Sequence, residues 1–155
     1  GQARGLKWAI SKAEREQFKE MLSEHDLGLE NRLSAKVGLL SGGQRQALTL
    51  LMAVMKKPKL LLLDEHTAAL DPKTAAKVLA LSDKFIEEGH LTAMMVTHNM
   101  KDAIAHGNRL IMMNNGKIIL DVSGEEKKKL TVEYLLEAFT KLSGSEFAND
   151  RALLS

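Results

Sequence analysis

The chain has 155 residues, 45% of them apolar and 27% charged, and its 22 basic and 20 acidic side chains leave a net charge of +2. A chain of this length fits one domain that buries roughly 70% of its unfolded surface, and the composition is ordinary for a soluble globular protein. So small a net charge gives no electrostatic case for nucleic acid or a membrane surface, and a chain without cysteine holds neither disulfides nor thiolate metal sites, which fits a reducing cytosol.

No apolar stretch approaches the ~18 residues that a membrane-spanning helix needs. Residues 1–4 read Gly-Gln-Ala-Arg, without an initiator methionine or the apolar core of a signal peptide. A fragment or a tag remnant is the expectation. Ser11 followed by Glu14 forms a capping-box pattern that predicts a helix over residues 12–24, with Phe18, Met21 and Leu22 on one face. Gly28 breaks it, and a short helical turn over residues 29–33 is expected. No strand is expected in residues 1–40.

Residues 40–44 read Leu-Ser-Gly-Gly-Gln, a glycine turn that opens a helix over residues 44–57. Ala47, Leu48, Leu51, Met52 and Met55 form its expected apolar stripe, and Pro58 stops it. Residues 60–65 read Leu-Leu-Leu-Leu-Asp-Glu. Four apolar residues in a row predict a central parallel strand covered on both faces. Asp71 before Pro72 reads as an N-cap and first helical residue. The helix should run to Glu88, with Ala75, Val78, Leu79, Ser82, Phe85 and Ile86 inward and Gly89 as the stop. Residues 91–97 are expected as a second buried strand, so that strand, helix and strand make a right-handed crossover. Asn99 and Asp102 open a short helix that ends at Gly107. Asn115-Gly116 between residues 109–113 and 117–121 predicts a hairpin. The run Lys127–Lys129 is read as a solvated linker face. Thr131 caps a last helix with Leu135, Leu136, Phe139 and Leu142 inward, ended by Gly144, and residues 145–155 read as a loose tail.

Three places could carry chemistry. Gly42 and Gly43 let backbone approach a ligand. The free N–H groups and positive dipole of a helix start suit a phosphate there, with Ser41 adding a hydroxyl and Gln44 an amide. An ordinary serine N-cap with a glycine turn is the plain alternative. Asp64 and Glu65 follow a buried strand, where ligands of open α/β sheets sit. Asp64 could hold Mg²⁺ through water and Glu65 could take a proton from an attacking water; a pair of acids in a surface loop is the alternative. His98, 34 residues after Asp64, could reach the same edge and bond a phosphate oxygen or the water, or could be a capping or core histidine. The other histidines show no metal-ligand spacing. Nowhere does the chain show a Gly-x-x-x-x-Gly-Lys-Ser/Thr phosphate loop; the one Gly-Lys step, Gly116-Lys117, is followed by Ile118.

These residues, over roughly 12–122, resemble the ATP-binding cassette (ABC) family. Residues 40–44, followed by Arg45-Gln46, look like its signature motif and residues 60–65 like its Walker B strand. Ala69-Leu70-Asp71 resembles the D-loop of the dimer interface and His98 the switch histidine. The resemblance implies an α/β, RecA-like P-loop NTPase core, present in part, with parallel strands, a C-terminal β-hairpin and an N-terminal helical subdomain. It divides the chain into a helical subdomain with the signature helix (1–57), an α/β core (58–122) and a C-terminal helix and tail (123–155).

By the same resemblance Glu65 is the general base, His98 its catalytic partner, Asp64 the Mg²⁺ contact, and Ser41, Gly42, Gly43 and Gln44 bind ATP on a second subunit. The implied partners are a second cassette paired head to tail, transmembrane permease subunits and an extracytoplasmic substrate-binding protein, at the cytoplasmic face of a cell membrane. Two departures stand out. His66 replaces the proline that many members carry after the glutamate. The Asp-Glu-His-Thr pattern resembles a subset of bacterial importers, some near aromatic amino-acid binding proteins. The Walker A and Q-loop region is missing, so this chain alone is expected to bind ATP very weakly, to hydrolyse none, and to expose apolar sheet edge that self-associates or stays partly disordered. Soluble relatives carry coiled coils or a Pro-Thr-Asn-His stretch that this chain lacks; a non-catalytic interaction module is the reading from another class.

Overall fold

The computed structural model describes residues 12–23 and 28–143. The expected Ser11 cap, Glu24 and Gly144 boundaries, the character of the first four residues and the tail from 145 lie outside them, as do the side chains of Glu14, Phe18, Met21 and Leu142. The chain forms two compact units, one of Gly1–Leu61 with His66–Thr92 and the other of Leu62–Glu65 with Ala93–Ser155. Its class is α/β, with parallel strands and an antiparallel hairpin.

Among the described residues the first unit holds three α-helices. Helix α1 spans Lys12–Ser23, with Leu22 buried. Gly28 then takes φ +65°, the left-handed conformation that glycine adopts without strain. Residues 29–33 form no helix: isolated turns close at Arg32 N–H to Leu29 O and Ala35 N–H to Arg32 O, and a 3₁₀ helix follows over Val37–Leu39. Helix α2 spans Gly42–Val54, ending before the expected Lys57. The residue preceding a proline is disfavoured in the helical region, and Lys57 instead turns left-handed at φ 46°. The buried face of α2 is Gly43, Ala47, Leu50 and Leu51, whereas Met52 and Met55 of the expected stripe are exposed. Those buried positions repeat at four, three and one, which keeps one helical face.

Helix α3 spans Pro72–Gly89 and buries Val78, Leu79, Leu81, Ser82 and Phe85. Asp71 caps it, its carboxylate accepting from Thr74 N–H at 3.1 Å. The left-handed residue at its end is His90 (φ 48°), not Gly89, because the helix runs one residue further than expected.

The strands expected over residues 60–63 and 91–97 form where the chain enters the second unit, but the burial expected of them does not hold. Strand β1 (Leu60–Asp64) alternates, with Leu61 and Leu63 buried and Leu62 65% exposed. Strand β2 (Thr92–Val96) leaves Met94 and Val96 open. A continuous apolar run therefore does not mean two covered faces here: β1 and β2 form a sheet of only two strands among the described residues. That leaves open the apolar surface on which the expectation of self-association rests.

The core of this unit sits elsewhere. Met100, Leu110 and Leu135 are buried together, and Ile104, Met112, Leu120, Val122 and Leu136 pack round them. They come from helix α4 (Met100–Ala105), the hairpin strands β3 (Arg109–Asn114) and β4 (Lys117–Ser123), and helix α6 (Val132–Ser143). The turn is Asn115 (φ 49°) and Gly116 (φ 73°), the paired positive φ of a type I′ hairpin, with an irregularity in register at Met112/Met113. Arg109 and Asp121 clamp the hairpin's open end with bonds of 2.8 and 2.6 Å. Between hairpin and α6 lies an unexpected one-turn helix, α5 (Gly124–Lys127). It buries Lys127, so the lysine run is not a uniformly solvated face; only Lys128 and Lys129 are exposed.

Candidate functional site

In the first unit the Ser-Gly-Gly-Gln turn closes on itself. Ser41 Oγ accepts from Gln44 N–H at 3.2 Å, and Gln44 Oε1 accepts from Ser41 N–H at 3.1 Å. This is a complete capping box. The two glycines have a packing reason. A Cβ on Gly43 would lie 2.2 Å from Thr74 Cγ2, and one on Gly42 would lie 3.0 Å from Leu70 Cδ2. The start of α2 thus lies directly against Leu70 and the first turn of α3. The sequence motifs at 41–44 and 69–71 are brought together as one surface. Asp71 serves there as a cap, and its hydrogen bonds with Thr74, side chain first and then backbone, hold its carboxyl below the usual carboxylate range. Ser41 is exposed and Gln44 half-buried, so the turn remains open to solvent.

In the second unit Glu65 and His98 meet. His98 Nδ1 lies 3.2 Å from Glu65 Oε1, with the two side chains 55% and 49% exposed. A carboxylate only accepts, so a proton shared between the two atoms comes from Nδ1. Glu65 is itself unusual. Its backbone is left-handed (φ 43°), and its N–H donates to Val96 O at 2.9 Å. A non-glycine residue in that region is a strained exception that its surroundings must hold. The strand hydrogen bond is one such hold, and it places the carboxylate at the strand end. On the other partner's side, Asn99 N–H donates to Thr97 Oγ1 at 3.0 Å, and Asn99 Oδ1 accepts from Lys101 and Asp102 N–H. His98 is therefore held between β2 and the cap of α4. Asp64 is exposed beside Glu65.

Among the described residues no three His, Cys, Asp or Glu side chains gather as a metal cage. Mg²⁺ keeps several waters and takes one or two carboxylates together with substrate phosphates, and Asp64 offers one exposed carboxylate at the end of β1. A cavity of about 350 Å³ in the first unit is lined by Arg15, Lys19, Glu30 and Arg32 among others and holds none of these residues.

Two side chains named in the sequence analysis make contacts that it did not foresee. His66, next after the glutamate, turns inward: Nε2 lies 3.0 Å from the buried Ser82 Oγ, which donates to Val78 O at 2.9 Å. Since Ser82 spends its hydrogen on Val78, His66 Nε2–H is the donor. The other is Lys127, whose ammonium donates to Ile104 O and to His106 O. Its signal was hidden inside a run of three identical residues.

Residues 3–68 match the family model described as ABC transporter. The tyrosine transport ATP-binding protein of Clostridioides difficile (strain R20291) is 52% identical over 122 residues, 79% of this chain and 49% of that protein. The methionine import ATP-binding protein MetN of Streptococcus pyogenes serotype M4 is 38% identical over 84% of this chain and 38% of its own length. Among solved structures, the ADP conformation of an ATP-binding cassette of an ABC transporter aligns with a TM-score of 0.67 at 27% identity, covering 86% of this chain and 52% of that one. The dimeric structure of a bacterial ABC transporter cassette aligns at 0.58 with 32% identity, covering 76% and 50%. The chain spans about half the length of the tyrosine transport protein and of the two solved cassettes, and 38% of the methionine import protein.

Proposed function

This chain belongs to the ABC transporter family, and from that premise we propose that it supplies the base-bearing part of the ATP-hydrolysing subunit of a membrane importer. The observation that carries this reading is the Glu65–His98 contact of 3.2 Å at the strand end. Glu65 is the general base that takes a proton from the attacking water. His98 donates from Nδ1 to Oε1, which fixes the carboxylate and leaves Oε2 for that water. Asp64 would hold Mg²⁺ through water, and the ion would offset charge on the phosphates. Ser41, Gly42, Gly43 and Gln44 present a helix start to ATP held on a second subunit, where backbone N–H groups favour an anion. Ala69, Leu70 and Asp71 form the adjoining part of the subunit interface, and the contact of Gly42 and Gly43 with Leu70 and Thr74 supports treating the two motifs as one surface.

Among the described residues no helix is long and apolar enough to cross a membrane. From the likeness to importer ATP-binding proteins we read the protein as a peripheral subunit at the cytoplasmic face, working with a second cassette, permease subunits and an extracytoplasmic binding protein. The 52% identity with a tyrosine transport protein supports an amino acid of that kind as the cargo.

The 155-residue chain alone, without a phosphate loop in its sequence, is expected to show no turnover. Joined to a phosphate-loop half, it is expected to hydrolyse ATP, and Glu65→Gln should lower kcat by about 10²- to 10⁴-fold with ATP binding retained. Normal hydrolysis by that variant removes Glu65 as the base.

A further inference from the structure

Lys127 is 5% exposed, the kind of burial that a lysine tolerates only when its ammonium is satisfied. It lies on α5, a segment with no part in the chemistry above. Its Nζ donates to Ile104 O and, at 3.0 Å, to His106 O. Those carbonyls belong to the last turn of α4 and to its C-cap residue, His106, where a helix has no internal donors left and where its dipole favours a cation.

Helix α4 has six residues, far below the ~12–15 at which a helix is even marginally stable alone. It persists because both ends and one face are fixed. Asn99 caps its start. Met100 is buried with Leu110 and Leu135. Lys127 closes its end. The residue before the cap is His98, so the anchoring of this short helix bears on where the imidazole stands relative to Glu65. Burial pushes the Lys127 ammonium below its ordinary lysine pKa, which is the desolvation cost that the two carbonyls offset. The position of the anchor also follows from the fold. Gly124 N–H donates to Asn108 O at 3.3 Å, so the end of β4 is tied to the start of β3 and α5 is delivered beneath the last turn of α4.

We propose that Lys127 is a positioning residue: by closing the carbonyl end of α4 it holds His98 on Glu65. Its catalytic importance rests on the reading of Glu65 and His98 given above, whereas the positioning itself is testable without ATP. The contact shows as a change in the His98 imidazole NMR resonances when Glu65→Gln is introduced. In the wild-type background this response is expected to be clear. In Lys127→Met, which keeps length and loses the donor and charge, the response is expected to shrink. Amide exchange across residues 102–106 should rise about tenfold or more, the equivalent of one charge-assisted hydrogen bond, with hairpin amides of β3 and β4 unchanged. Lys127→Arg should restore both readouts in large part.

A folded Lys127→Met protein with wild-type exchange in α4 and an undiminished His98 response overturns the proposal. If that variant does not fold, Lys127→Gln, which keeps a neutral donor, is read the same way: an intermediate exchange rate and response support the proposal, and wild-type values overturn it. Loss of the hairpin signals together with those of α4 also overturns it, since Lys127 would then hold the unit as a whole. None of these results depends on whether Glu65→Gln lowers ATP turnover, so the two readings fail separately.

Discussion

The Ser41–Gln44 turn and the Glu65–His98 pair are both motif residues, yet they are held in opposite ways. The turn is saturated locally: both side chains of the capping box bond within four residues, and both glycines are pressed against neighbours in the first unit. The pair has one contact of 3.2 Å between half-exposed side chains, set on a left-handed backbone. A half-exposed ion pair contributes ~1 kcal/mol or less to stability. The glutamate and histidine therefore owe their arrangement to the backbone around them, whereas the glycines carry part of the packing. The difference separates residues that shape a surface from residues that are offered at one.

The sharpest way to break this contrast is Gly43→Ala. The added methyl would meet Thr74 Cγ2 at 2.2 Å, and Thr74 is β-branched on a helix whose cap, Asp71, bonds its N–H. Neither side yields easily, so the variant is expected to lose about 1–3 kcal/mol in urea or thermal unfolding. An unchanged unfolding midpoint would mean that Thr74 rotates freely away and that the glycine is there for a ligand alone.

Much of this was legible in advance. The Asn115-Gly116 turn, the Asp71-Pro72 start and the Asn99 cap are local signals, and each appears where the sequence places it. The reading failed where neighbours decide. Residues 60–63 are all leucine, which says that a strand is apolar but not how many strands flank it; Leu62 is open because β1 and β2 stand as a two-stranded sheet among the described residues. Likewise three lysines in a row look alike, and only the geometry of α4 picks out Lys127. At the candidate site, strand ends and helix starts pointed to Glu65, His98 and Ser41, and the structure brings the first two together. The left-handed φ of Glu65 and the inward turn of His66 carry no local signature.

His66 sharpens the comparison from the other side, since it neighbours the proposed base in sequence and yet does structural work. His66→Ala is expected to cost about 1 kcal/mol, the net value of its bond to Ser82, measured as a drop in unfolding free energy. His66→Gln, which can still donate, should recover part of it. Equal losses in the two variants would show that the ring's packing rather than its N–H holds the turn.

The smallest effect concerns the hairpin clamp, a surface pair of the same exposed kind as Glu65–His98 but bidentate. Arg109 holds the Asp121 carboxyl below its usual 3.8, first through their hydrogen bonds and then through charge, while Asp121 raises Arg109. The folded protein thus binds this proton less tightly than the unfolded chain. The contribution is complete above the unfolded value of 3.8 and disappears as pH falls through the depressed folded value. Between those limits, unfolding stability of the wild type should fall more steeply with acid than that of Asp121→Asn, and the two curves should converge at the acid end. Both partners are exposed, so the gap is small and shrinks in high salt. Parallel curves across that range would mean that Arg109 and Asp121 hold register through shape and not through charge.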